Sequence, residues 1–179
     1  AKKQGVTVIP VSHHNLLDES TLYPEECTIE NTKEVTALLE AYGVPVYLSG
    51  HLHLQRIKKH TSNLNTPGGY GIREIVTSPL PMAPCQYSIL NWQADGSLSY
   101  HTKKVDIAGW AQRYGEEDEN LLNFDAYADQ FLVDVISKQA FKALQSASKD
   151  IKEEMARLYA DMNRDYCSGT KIDVAKIRK

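Results

Sequence analysis

The sequence predicts an α+β chain, and three observations carry that reading. Its first sixty residues run as a β-branched stretch, a helical period and a second β-branched stretch. The middle changes to strand-length segments that alternate or run apolar around a hairpin signal. From about Ala108 a helical period takes over. Composition agrees with a globular chain: 42% of the 179 residues are apolar, enough to cover a core, and 24% are charged. Disorder and low-complexity architectures are excluded as descriptions of the whole. No run approaches the roughly 18 apolar residues of a membrane span. The net charge is −3 with no basic stripe, so no nucleic-acid groove is indicated. Cys27, Cys85 and Cys167 are odd in number and far apart, which indicates neither a disulfide framework nor a thiolate zinc site.

Gly5 to Ser12 (GVTVIPVS) is dense enough in valine and isoleucine for a buried strand that Pro10 bends or ends. The stretch from Asn15 to Ile29 is too rich in Asp, Glu and Pro to be core. Asn31 precedes Glu34 by three positions, the spacing of a capping box. Val35, Leu38, Leu39 and Tyr42 then recur at helical spacing, and Gly43 stands where a left-handed residue ends a helix. Val44 to Leu48 (VPVYL) is the next buried strand. A strand, a helix and a strand in so short a length make a βαβ unit with parallel strands and a right-handed crossover.

Tyr70–Thr77, Gln86–Trp92 and Ser97–Val105 read as further strands, with Asp95-Gly96 as a hairpin turn between the last two. Pro67-Gly68-Gly69 and Pro79-Leu80-Pro81 are loops. Leu121, Phe124, Ala128, Phe131 and Val135 follow a helical period, widened by Leu132, Ile136, Ala140 and Leu144. Ser146 to Lys149 breaks it. A second helix carries Ile151, Met155, Leu158 and Met162, with Glu153 and Arg157 paired on its surface and Gly169 at its end. The acidic run Glu116–Glu119 marks the junction with the β-rich part, placing the domain boundary near 107/108.

Four of the six histidines form two tight groups, His13-His14 and His51-x-His53. Each follows the carboxyl end of a predicted parallel strand, where open α/β sheets bind their ligands. Imidazole is the commonest neutral ligand for transition metals, and Gly50 offers a sharp turn before the second group. A His-x-His pair in an extended turn aims its rings apart, which suits two adjacent ions better than one. A lone His-x-His is more often an ordinary surface pair than a ligand; the second group at the matching strand end shifts the balance. His60 and His101 lack such a context and read as ordinary loop and strand residues.

With these residues in view, Val11-Ser12-His13-His14-Asn15, a helix, and Val46-Tyr47-Leu48-Ser49-Gly50-His51-Leu52-His53 resemble the C-terminal half of the calcineurin-like metallophosphoesterases. That family carries a strand ending in His-His-Pro and a later strand ending in Gly-His-x-His. The resemblance is nearest to bacterial cyclic-nucleotide-phosphodiesterase-like members that append a helical domain. It implies the second half of a two-sheet β-sandwich flanked by helices over residues 1–107, then a helical subdomain over 108–179. It also implies hydrolysis of a phosphodiester by a metal-bridging hydroxide between two divalent ions (Mn, Fe or Zn). His13 and His51 match ligands of one metal and His53 a ligand of the other. His14 matches a position beside the ions or against the substrate, the catalytic candidate. Asn15 departs from the family's proline, which affects the following loop.

The family's Asp-x-His, Gly-Asp-x-x-Asp and Gly-Asn-His-Asp/Glu strings do not occur in this sequence. The expectation is therefore a fragment, inactive alone, holding one ion or none and prone to self-association through an unpaired strand edge. A non-catalytic interaction module and a self-contained mononuclear metal-binding domain stay open as alternatives. The helical stripes read as core rather than as a site, although Trp110, Tyr127, Tyr159 and Tyr166 could influence substrate choice. Substrate-selecting walls are expected in loops Leu16–Ile29 and Lys58–Gly71. Cytoplasm and cell envelope are both open as locations.

Overall fold

A computed structural model describes residues 2–17, 25–61 and 71–171. The predicted acidic loop beyond Leu17 and the Pro67-Gly68-Gly69 segment with Tyr70 lie largely or wholly outside those residues. The chain is α+β, and its described residues divide into two compact units, 1–77 and 78–179.

In the first unit, helix α1 (Thr32–Ala41) precedes strands β1 (Val46–Ser49), β2 (Arg56–Lys59) and β3 (Arg73–Val76). The sheet order is β1-β3-β2, with β3 parallel to β1 and antiparallel to β2. Alternate faces of β1 and β3 are both covered, so Val46, Tyr47, Ile75 and Val76 are all buried. Strand β2 was not legible as a strand: its sequence is Arg-Ile-Lys-Lys, and it lies at the sheet edge, where charge deters further pairing.

Two expectations are corrected here. The stretch Gly5–Ser12 is not a buried strand; it touches the sheet through one parallel bridge, Val11 to Leu48. Val6, Val8, Ile9 and Val11 stay exposed, because no described strand lies on their other side to cover them. Nor is the segment after Asn15 all solvent-side loop. Leu16 and Leu17 are buried with Tyr47 and Ile72, and Val35, Leu39 and Ile29 pack against them. The apolar pair outweighs the acidic residues that follow it. On α1 the predicted stripe splits accordingly: Val35 and Leu39 meet this core, while Leu38 and Tyr42 face water. Asn31 caps α1 by position but makes no side-chain cap bond, so the expected capping box does not form. Gly43 does take the left-handed conformation, at φ 68°.

The second unit begins with the hairpin β4 (Gln86–Trp92) and β5 (Leu98–Lys104), in register from Gln86–Lys104 to Trp92–Leu98. Its turn spans Gln93–Ser97 rather than two residues, with Asp95 accepting from the Ser97 amide at 2.8 Å. Helices α2 (Ile107–Tyr114), α3 (Glu119–Leu122), α4 (Phe124–Ala143) and α5 (Lys149–Ser168) follow. The segment that leads into the hairpin packs within this unit: Ala83 and Cys85 join Ala128 and Leu132 in one core cluster. Gln86 also donates to the Cys167 carbonyl at the end of α5, at 2.6 Å. The break before α5 is where it was expected, with Ser148 as its cap, and Gly169 ends it at φ 78°. On α5 the deeply buried residues are Ala156, Ala160 and Cys167 rather than the larger Ile151, because small side chains let helices approach closely. Glu153 faces Lys149 at 3.6 Å instead of Arg157.

Candidate functional site

The site is built where two neighbouring chain segments leave the sheet together. Ser12 donates its amide to the Leu48 carbonyl at 3.0 Å, and Gly50 donates to the His13 carbonyl at 3.1 Å. These two bonds carry the parallel pairing past the end of β1. They fix His13-His14 beside Gly50-His51. Tyr47 adds a side-chain tie by donating to Ser12 Oγ at 2.7 Å, and Ser12 in turn donates to the His14 carbonyl.

The imidazoles meet in consequence. His51 Nδ1 lies 3.2 Å from His13 Nε2. The His13 and His51 ring centroids are 5.0 Å apart with the planes nearly perpendicular. His14 completes the group, 4.4 Å from the His51 centroid and 5.4 Å from that of His13. His53 stands two residues on, at the surface, and its charge is felt at His51. Desolvation, followed by the charges of His14, His13 and His53, holds the His51 imidazole below its ordinary value of 6.5. A neutral ring at neutral pH presents a lone pair without first losing a proton.

The 3.2 Å separation admits two occupants. A proton shared between the nitrogens makes it a hydrogen bond. Two nitrogens each 2.0–2.1 Å from one tetrahedral ion would stand roughly 3.3 Å apart, so the same spacing fits a cation held by both rings. The pair thus fits half of a coordination shell. Among the described residues, no group of three or more His, Cys, Asp or Glu side chains is arranged to hold a metal ion.

The backbone of this corner departs from expectation. Gly50 does not make the turn, and a Cβ there would meet only ordinary contacts at 3.8–3.9 Å from His13. The turn falls instead on the histidines themselves, with φ 39° at His51 and 55° at His53. The left-handed region costs a non-glycine residue roughly 1–2 kcal/mol. Unfavourable conformations of this kind collect at functional sites, where surrounding contacts hold them.

Sequence reading missed Glu74 and Ser49. Glu74 is fully buried on β3, accepting from the amides of Leu16 at 2.6 Å and Leu17 at 2.7 Å and from Ser49 Oγ at 2.7 Å. The one available signal was an acidic residue directly before the apolar pair Ile75-Val76, in a strand reading Arg-Glu-Ile-Val. His60 faces Glu40 at 3.7 Å just past β2, and His101 sits on β5 opposite Ile89 in the strand context expected of it. In the second unit a separate apolar groove of about 280 Å³ is lined by Leu80, Cys85, Phe124, Tyr127 and Phe131, among others.

Comparison with known proteins bears on the helices. Residues 106–178 match the C-terminal domain of cyclic nucleotide phosphodiesterase. The match runs from the Asp106 cap of α2 through α5, and it relates that segment to phosphodiesterases. It does not extend to the histidine corner. No curated protein matches the chain.

Proposed function

We propose that the histidine corner is one side of a dinuclear metal site in a phosphodiesterase of the calcineurin-like metallophosphoesterase type. The observation that carries the proposal is the 3.2 Å approach of His13 Nε2 and His51 Nδ1 from two parallel segment ends. The phosphodiesterase-related helices support the same substrate chemistry. The boundary near 107/108 then concerns ancestry rather than compactness: motifs of the catalytic fold before it, the helical appendage after it.

In this reading His13 and His51 would hold one divalent ion, and His53 would help to hold a neighbouring one. Manganese, iron and zinc all suit mixed histidine and carboxylate sites, and the carboxylates would come from beyond this cluster. When bound, the ions supply an activated water and offset charge on the phosphoryl group. The protein's own part is to present neutral imidazoles in fixed directions. The depressed proton affinity of His51 serves that purpose. His14, exposed and stacked at a tilt against His51, would donate a ring N–H to a phosphoryl oxygen of the substrate.

The test is hydrolysis of a cyclic nucleotide and of bis(p-nitrophenyl) phosphate by the full-length protein with added manganese or zinc. His51→Ala should abolish turnover and His14→Ala should lower it while metal content is kept. A near wild-type rate in His51→Ala would remove the assignment.

A further inference from the structure

Glu74 sits at the centre of an arrangement that the metal reading alone does not require. It occupies the middle strand of the first sheet, opposite Tyr47 on one side and Lys58 on the other. Its side chain is fully buried. Burying an acid is costly unless its oxygens are supplied with donors. Here Oε1 accepts from the Leu16 amide at 2.6 Å and from Ser49 Oγ at 2.7 Å, and Oε2 accepts from the Leu17 amide at 2.7 Å. Ser49 Oγ accepts in turn from Asn15 Nδ2 at 3.1 Å, so serine and asparagine are oriented by the same group. Asn15, Leu16, Leu17 and Ser49 are themselves buried.

Among the described residues, the partners of the Glu74 side chain adjoin the histidine segments. Asn15, Leu16 and Leu17 follow His13-His14 directly, and Ser49 stands two residues before His51. One side chain therefore grips both segments of the corner, in addition to the backbone bonds that join them. Charge-assisted bonds to backbone amides are short and directional. A coordination site demands placement to within about 0.5 Å, which packing of loops alone seldom provides.

We infer that Glu74, acting through Ser49 and the Leu16–Leu17 amides, is the positioning residue that sets the His13–His51 separation. The inference rests on the metal-site reading above for its purpose, but its geometry is independent of any bound ion. Glu74 exerts its role through these donors rather than by ligation of an ion.

The test uses the full chain as wild type, Glu74→Gln, Ser49→Ala and Ile75→Val. Two readouts are taken: ring-to-ring nuclear Overhauser effects between His13 and His51 in metal-free protein, and zinc affinity by calorimetry. Glu74→Gln keeps the shape but sets an NH2 against a donor. It should weaken or erase the ring-to-ring signals and lower zinc affinity on the order of ten- to a hundred-fold. Ser49→Ala should move both in the same direction by less. Ile75→Val, which loosens the same strand without touching the network, should leave both unchanged. Intact ring contacts and wild-type affinity in folded Glu74→Gln would overturn the inference, as would an equal loss in Ile75→Val. Should Glu74→Gln fail to fold, Ser49→Ala decides by the same two readouts. Zinc ignored by the wild type would sink the metal reading, while the metal-free ring contacts would still decide whether Glu74 positions the histidines.

Discussion

Asn15 shows how one residue can depart from a family pattern without opening the site. The resembled family has proline there, yet here the Asn15 amide donates to the Cys27 carbonyl at 3.1 Å, a bond proline cannot make. Its own carbonyl accepts from the Ile29 amide at 3.0 Å, so the departure joins Asn15 to Cys27 and Ile29. Beside it, His51 makes a prediction about pH. Its proton affinity is depressed by desolvation and then by its histidine neighbours, His14 foremost. Between the lowered folded value and 6.5 the unfolded chain binds a proton that the folded chain does not. This group's contribution to stability is therefore full above 6.5 and is lost as the pH falls through the folded value. Histidine NMR titration of the metal-free protein should place the His51 midpoint below 6.5, and His14→Ala should raise it. An unmoved midpoint in that variant would mean that His14 does not act on His51.

At the scale of elements, the turn Gly50–His53 holds the left-handed non-glycine residues of the first unit, among the described residues. Two histidines carry left-handed backbone where glycine would sit without penalty. Substitution His53→Gly should therefore raise unfolding stability by about 1 kcal/mol in urea titration, while lowering affinity for divalent cations. Stability gained as binding is lost would mark the strain as functional; a loss of both would mean that His53 supports the fold. Element by element, the sequence was readable wherever one periodicity had one burial partner. Strands β1, β3 and β4 and the break between α4 and α5 lie close to where the alternation and the Ser148 cap put them. The failures share one cause, tertiary context. Gly5–Ser12 carries strand residues but, among the described residues, has only the Val11 bridge, and β2 carries surface residues yet pairs because β3 offers an open side.

Across the whole molecule, the two units differ in where their polar chemistry lies. The first buries Glu74, Ser49 and Asn15 beside its histidines. The second buries two thiols, Cys85 and Cys167. Burial, and after it the charge of Cys85, pushes the Cys167 thiol up to about 11. Burial, then Asp125 and Asp129, also raises Cys85. Iodoacetamide at pH 8 should accordingly modify partly exposed Cys27 while leaving Cys85 and Cys167 intact until the chain is unfolded, as read by peptide mass spectrometry. Early labelling of Cys167 would mean that the end of α5 opens readily in the native state.

The amino-acid order determined the α+β class, the helical character beyond residue 107 and the grouping of four histidines into two pairs. These follow from local periodicity and from residue types set at strand ends, both of which are written in neighbouring positions. Tertiary structure alone decided that His13 and His51 stand 3.2 Å apart, that the sharp turn falls on histidines rather than on Gly50, and that Glu74 clamps the corner. Those facts depend on register between segments tens of residues apart, and a buried acid becomes tolerable only when such segments bring it donors. No local pattern encodes which amides will arrive there.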